Sequence, residues 1–202
     1  YLLTFYSGEA LLALIEYYEK TLDERYLTAA LKSGDFYINR YAIRLSDNYY
    51  PAYVPWHTLA LNKLYKINSG QEYADAIFTM NDKLLELLDR ELFVGRFHNP
   101  DTPEFGNPHA SSDAIYTEGL AYAYEVARLV GDSEHAKVYE KALRIAVKNL
   151  ISLQYDSPIS GSPLSPADYV GALKIRHNSQ WVRVDTTQHT LDAFQKIMEL
   201  GM

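Results

Sequence analysis

The sequence predicts an all-α fold built from repeated pairs of antiparallel helices. The first observation is an apolar helix over 113–130, which starts at a residue suited to an N-cap, Ser112 or Asp113, and stops at Gly131. The second is the helix from Ser133, in which apolar residues recur at three- and four-residue steps and charged residues fill the other face. The third is that this pair recurs along the chain, which is typical of stacked supersecondary units.

The first helix of the pair is predicted to be buried and the second to lie at the surface. A helix that is apolar nearly all round, as 113–130 is, is normally covered on most sides. The second helix has a single apolar stripe: Ala136, Tyr139, Ala142, Leu143, Ala146, Leu150 and Leu153. A Gly-Asp turn between them predicts a helical hairpin with an inner and an outer member.

The same pattern recurs twice, with a fourth inner helix near the end of the sequence. Aligning Asp23 with Asp132 places Glu9 on Glu118 without a gap. The predicted inner helices begin near Gly8, Trp56, Asp113 and Asp185, and the outer helices follow turns at 21–25, 68–70 and 131–132.

Two long segments without a helical pattern, 94–112 and 156–184, each precede an inner helix. Segments of this length are uncommon in compact domains unless they serve a site. Both lead from an outer helix into an inner one, so we expect them on a common rim. Within the second segment, 180–184 suits a short extended stretch.

Composition excludes several classes of function. A chain of 202 residues predicts a single domain over 1–202, and its apolar opening is expected of a piece of a longer protein. A net charge of −7 without a basic cluster argues against a nucleic-acid partner, and no apolar run is long enough to predict a membrane partner. The absence of cysteine removes disulfides, thiolate nucleophiles and Cys-ligated zinc. Neither the compartment nor the oligomeric state follows from the composition.

The repeat resembles the (α/α) toroids of the six-hairpin, glycosidase-like superfamily. The resemblance covers most of the chain and rests on GEALLAL at 8–14 with DERYL at 23–27, EGL at 118–120 with Gly131-Asp132, and RVDTTQH at 183–189. Members include glycoside hydrolases, polysaccharide lyases and uronyl epimerases, so the resemblance implies a carbohydrate cleft at the rim of the inner helices. A complete toroid of this kind has six hairpins, more than are predicted here, which implies either a partial toroid domain or an open arc of hairpins.

The repeat places several carboxyl side chains near the first turns of inner helices, where helix N-termini carry positive potential. A glycosidase needs one carboxyl group that stays protonated and another that is ionised. Glu118 and Asp185 are the first candidates for these roles, with Asp113 and Glu9 in reserve.

A lyase or epimerase instead needs a histidine or tyrosine that moves a proton beside a cation. The candidates for that chemistry are His189, His57, Tyr116 and Arg183. Both histidines begin the tripeptide His-Thr-Leu, at matching places in their helices. The predicted substrate-binding residues are Glu9, Trp56, Tyr116, Arg183, Gln188 and Trp181.

Each candidate also has a structural interpretation. Asp185 suits the start of a capping box and Asp113 an N-cap, while Glu9 and Glu118 would offset the helix dipole. The two histidines would be satisfied core residues. The loop residues His98, His109, His177, Asp101 and Glu104 match no recognised metal motif, so neither a metal nor a cofactor is predicted.

The sequence therefore predicts a carbohydrate-active domain, a hydrolase, lyase or epimerase, that takes a glycan or another small polar substrate at the inner-helix rim. The catalytic candidates are Glu118, His189, Asp185, His57 and Asp113. The alternative is a non-catalytic helical-repeat scaffold that binds a peptide or protein partner on its concave face. A third possibility is a structural piece of a larger enzyme.

Overall fold

The computed structural model describes residues 2–106, 109–160 and 162–202, and these residues form ten α-helices and no strand. The all-α prediction is confirmed. None of the described helices combines the length and the hydropathy that a bilayer crossing requires.

Seven of the helices span at least four turns, and three are short. The long helices are α2 (Ser7–Thr21), α3 (Glu24–Ile38), α5 (Val54–Asn68), α6 (Gln71–Leu85), α7 (Ala110–Val130), α8 (Ser133–Ser152) and α10 (Val184–Glu199). The short helices are α1 (Leu2–Phe5), α4 (Leu45–Asn48) and α9 (Pro166–Tyr169). A π-helical segment, Asn39–Ile43, continues α3, and 3-10 turns lie at Pro51–Tyr53 and Pro103–Phe105.

The three predicted hairpins are α2–α3, α5–α6 and α7–α8, each closed by a two-residue turn. The first residue of every turn has a left-handed backbone: Leu22 (φ 56°), Ser69 (φ 58°) and Gly131 (φ 77°). Asp23 and Asp132 follow two of these residues, and their carboxylates accept backbone N–H bonds from the next helix. The two aligned aspartates therefore hold equivalent N-cap positions.

The predicted contrast between inner and outer helices holds for the third hairpin. Almost the whole circumference of α7 is buried, whereas α8 buries one stripe that contains Tyr139, Leu143 and Leu150. By contrast, α2 buries only Ser7, Gly8, Leu11 and Ile15 despite its apolar composition.

The chain divides into two compact units, Tyr1–Glu86 with Gly119–Glu140, and Leu87–Glu118 with Lys141–Met202. In the first unit, glycines allow the backbone of α5 to approach two other helices closely. A Cβ atom on Gly8 would lie 2.6 Å from the Cβ of Trp56, and one on Gly119 would lie 2.7 Å from the Cα of Pro55. The start of α5 is thus held against both α2 and α7.

Gly119→Ala is expected to destabilise the first unit by about 1–3 kcal/mol, because the new methyl group meets backbone atoms that must shift. Gly34→Ala is the matched control, since its methyl group would meet the movable end of the Leu64 side chain at 2.9 Å. Its unfolding free energy is expected to stay close to the native value. Urea denaturation of both variants measures the difference, and equal losses would contradict the proposed backbone contact.

In the second unit, two isolated bridges shape residues 173–182 into a short ribbon, whereas the earlier described part of the predicted 156–184 segment is irregular apart from α9. Isolated bridges join Gln154 to Leu173 and Lys174 to Val182. Arg183 also has an extended backbone, so the extended prediction for 180–184 holds at Val182 and Arg183 and fails at Val184, where α10 begins. The N–H of Ala110, at the start of α7, donates to the carbonyl of Ile175 in the ribbon at 2.9 Å.

Three predicted loop residues, Asn107, Pro108 and Gly161, lie outside the described residues.

Two predicted N-caps are wrong. α7 begins at Ala110, so neither Ser112 nor Asp113 is its N-cap; instead, the Nδ1 atom of His109 accepts the N–H of Ser112 at 3.2 Å. Glu118 consequently lies in the third turn of α7 and not near its first turn as predicted. α10 begins at Val184, which places Asp185 inside the first turn rather than at the cap. Tertiary hydrogen bonds, such as the one between Ala110 and the ribbon, help to decide where a helix begins. The spacing of hydrophobic residues along the sequence does not reveal such bonds.

Candidate functional site

The structure brings two of the predicted site residues into direct contact in the second unit. Glu118 lies on α7 and His189 on α10, and the Nδ1 atom of His189 is 2.9 Å from the Oε2 atom of Glu118. The two side chains are 7% and 13% exposed, for Glu118 and His189 respectively. A buried carboxylate is therefore paired with an imidazole group that still touches solvent.

Burial and the neighbouring His189 shift the pKa of Glu118 in opposite directions. Burial raises the pKa of the carboxyl group, the bond to His189 and its charge lower it, and the nearby carboxylate of Asp192 raises it again. Burial dominates, so Glu118 keeps its proton to a higher pH than an exposed glutamate does.

Asp192, which was not singled out as a candidate, belongs to the same cluster. One ligand atom from each of Glu118, His189 and Asp192 lies within 4.8 Å of the other two. An imidazole nitrogen and two carboxylate oxygens form a donor set that can hold a divalent cation. The three-residue spacing between His189 and Asp192 was the available signal, because residues three apart share a helix face.

The starts of α7 and α10 carry a second group of polar residues. Arg183 precedes α10, and its Nε atom donates to Asp185 at 3.0 Å. Burial lowers the pKa of His109, the charge of Arg183 lowers it further, and Asp185 opposes both. These interactions place the two helix starts near each other within the second unit.

Asp113 lies in the interior of the second unit, with 1% of its surface exposed. Its carboxylate accepts the N–H of Phe97 at 2.9 Å and the amide of Asn149 at 3.3 Å, and the Nε atom of Arg96 lies at 3.7 Å. Burial raises the pKa of Asp113 to about 6 against the effect of these three partners. The network ties the segment before α7 to both α7 and α8.

His57 occupies the position in α5 that matches His189 in α10, but its surroundings differ. It is 1% exposed, its Nδ1 atom donates to the carbonyl of Tyr53 at 2.8 Å, and its Nε2 atom lies 3.2 Å from the hydroxyl of Ser7. Burial lowers the pKa of His57 to about 4, so the ring is neutral at physiological pH. These contacts are typical of a buried core histidine, which is the structural interpretation of His57.

The remaining predicted residues are distributed over both units. Glu9 and Trp56 are half-buried in the first unit, to which His57 also belongs. In the second unit, Tyr116 is buried with its ring edge-on to Phe97, at a centroid distance of 5.5 Å. Trp181 is exposed, and Gln188 lies on the first turns of α10. The predicted residues therefore form two contact pairs in the second unit, Glu118 with His189 and Arg183 with Asp185.

Comparisons with known proteins found no match, so the function is inferred from this geometry. No protein-family model, curated protein or solved structure matches the chain.

Proposed function

We propose that the chain is a carbohydrate-active domain whose hairpins belong to a partial (α/α) toroid, and that His189 exchanges a proton with the glycan. The hydrogen bond between His189 and Glu118 carries the proposal.

A carboxylate that holds one ring nitrogen of a histidine selects the tautomer and fixes the orientation of the ring. Nδ1 of His189 is the nitrogen bonded to Glu118, so Nε2 is the atom assigned to proton exchange. The negative charge of Glu118 also stabilises the imidazolium ion that forms when His189 accepts a proton.

This arrangement favours lyase or epimerase chemistry over glycoside hydrolysis. The acid of a glycosidase must reach the glycosidic oxygen, whereas the carboxylate of Glu118 is buried and already bonded to His189. Arg183, at the start of the same helix as His189, supplies a cation to neutralise charge that develops on the sugar.

A thermal-shift screen against neutral and acidic polysaccharides tests the proposal, with Glu118→Gln beside the native chain. We expect at least one polysaccharide to raise the unfolding temperature of the native chain and to be depolymerised or epimerised by it. Glu118→Gln is expected to lose this conversion, since the amide no longer stabilises a protonated His189.

Glu125→Gln is the matched control, because Glu125 also lies on α7 and accepts hydrogen bonds from Asn62 and Lys66 within the first unit. Its activity is expected to equal that of the native chain. A native chain that neither binds nor converts any polysaccharide would overturn the proposal. Binding without conversion, unaffected by Glu118→Gln, would favour a domain that holds a glycan without acting on it.

A further inference from the structure

The second unit contains an open pocket of about 350 Å³ whose lining residues are separate from Glu118 and His189. Its walls are the segment 155–159 and part of the ribbon between Lys174 and Gln180. Backbone hydrogen bonds hold these walls together, since the N–H of Tyr155 donates to Ala172 at 2.9 Å and that of Lys174 donates to Leu153 at 3.0 Å.

Tyr155 supplies a buried polar atom that has no partner. The residue is 5% exposed, and its hydroxyl oxygen makes no hydrogen bond to any of the described residues. A buried hydroxyl group without a partner is costly, and native structures rarely keep one without a ligand or a water to satisfy it. Tyr155 lines the pocket, and its hydroxyl oxygen is covered in this conformation, so a ligand in the pocket accepts this O–H group after a small movement of the Tyr155 side chain.

Lys174 supplies a cation beside that hydroxyl group. Its Nζ atom lies over the ring of Tyr155, 4.6 Å from the centroid, and no carboxylate of a described residue forms an ion pair with it. Asp156 is the acidic residue of the pocket lining. Burial, Arg96 and Lys174 all lower the pKa of His177, which favours the neutral form of this histidine.

We propose that this pocket binds the carboxylate group of a small polar ligand, with the hydroxyl group of Tyr155 as donor and the ammonium group of Lys174 as counter-charge. The volume lies at the lower end of the range for ligand pockets, about 300–1,000 Å³. The side chains of Asn178 and Gln180 add hydrogen-bonding groups for the rest of the ligand. The inference stands apart from the proposed function, because neither Glu118 nor His189 lines this pocket.

NMR titrations of the ¹⁵N-labelled chain test this inference, with glucuronate, glucose and acetate as the three probes. We expect glucuronate to shift the backbone amide resonances of Lys174 and Gln180 and glucose to leave them unchanged. Tyr155→Phe and Lys174→Met are each expected to weaken glucuronate binding about tenfold or more, because each removes a hydrogen bond to a charged group. Lys148→Met, on the exposed face of α8, controls for the loss of one positive charge.

Tyr155→Phe has a second readout, because it removes only the oxygen that lacks a partner. Its unfolding temperature without ligand is expected to equal or exceed the native value, so weaker binding does not reflect misfolding. Acetate binding as tight as that of glucuronate would support the carboxylate site and assign it to a non-sugar ligand. Glucose binding as tight as that of glucuronate, no binding of either carboxylate, or undiminished binding by Tyr155→Phe would overturn the inference.

Discussion

Replacing His189 with glutamine is expected to lower the turnover of a glycan substrate by about 10²–10⁴-fold, the usual contribution of a positioned general acid or base. Glutamine retains an N–H donor for the buried carboxylate of Glu118, so the unfolding temperature is expected to change little. The measurement is kcat/KM on a polysaccharide identified by the thermal-shift screen, with thermal unfolding recorded on the same samples.

His57→Gln is the internal control for this prediction. His57 and His189 occupy matching positions, and the threonine after each donates to the carbonyl four residues back, at 2.8 Å for Thr58 and 2.7 Å for Thr190. His57→Gln is expected to lower stability, because the ring is buried between Ser7 and Tyr53, but to leave the turnover of the folded protein unchanged. Native-like turnover by His189→Gln would contradict its role in proton exchange.

Asp113→Ala is expected to lower the free energy of unfolding by about 3 kcal/mol at pH 7, which makes it the largest of the expected stability effects. The substitution removes the acceptor for the N–H of Phe97 and for the amide of Asn149, and it leaves the guanidinium group of Arg96 without its carboxylate. Urea denaturation measures the loss. An unfolding free energy equal to the native value would contradict the role of Asp113 in joining its segment to α7 and α8.

The same residue predicts a pH dependence of stability. The pKa of Asp113 is about 6 in the folded chain, against 3.8 for an unperturbed aspartate, so the folded state holds this proton more tightly than the unfolded state does. The stability that this proton contributes is complete below a pH of about 4 and is lost as the pH rises through about 6. Asp113→Asn, which cannot titrate, is expected to show a smaller loss of stability between pH 5 and pH 7 than the native chain does.

Hairpins and turns were the part of the structure that could be predicted best. Asp23 and Asp132 were aligned by sequence alone, and both cap an outer helix, because capping depends on residues that are neighbours in the chain. The start of α7 at Ala110 could not be predicted, because a contact with a distant segment, the bond from Ala110 to Ile175, helps to decide it. The burial of α2 was also not predictable, since an apolar surface is covered only where another element packs on it.

The sequence by itself determined the helical class and the three hairpins, because periodicity, caps and turns are local properties. Only the tertiary structure decided which of the candidate site residues meet. Glu118 and His189 are 71 positions apart and share a hydrogen bond, whereas His57, which begins the same His-Thr-Leu tripeptide as His189, is enclosed by Ser7 and Tyr53. The physical reason is that the pKa and the reactivity of a side chain depend on its burial and on its partners in space, and equivalent sequence positions can receive different surroundings.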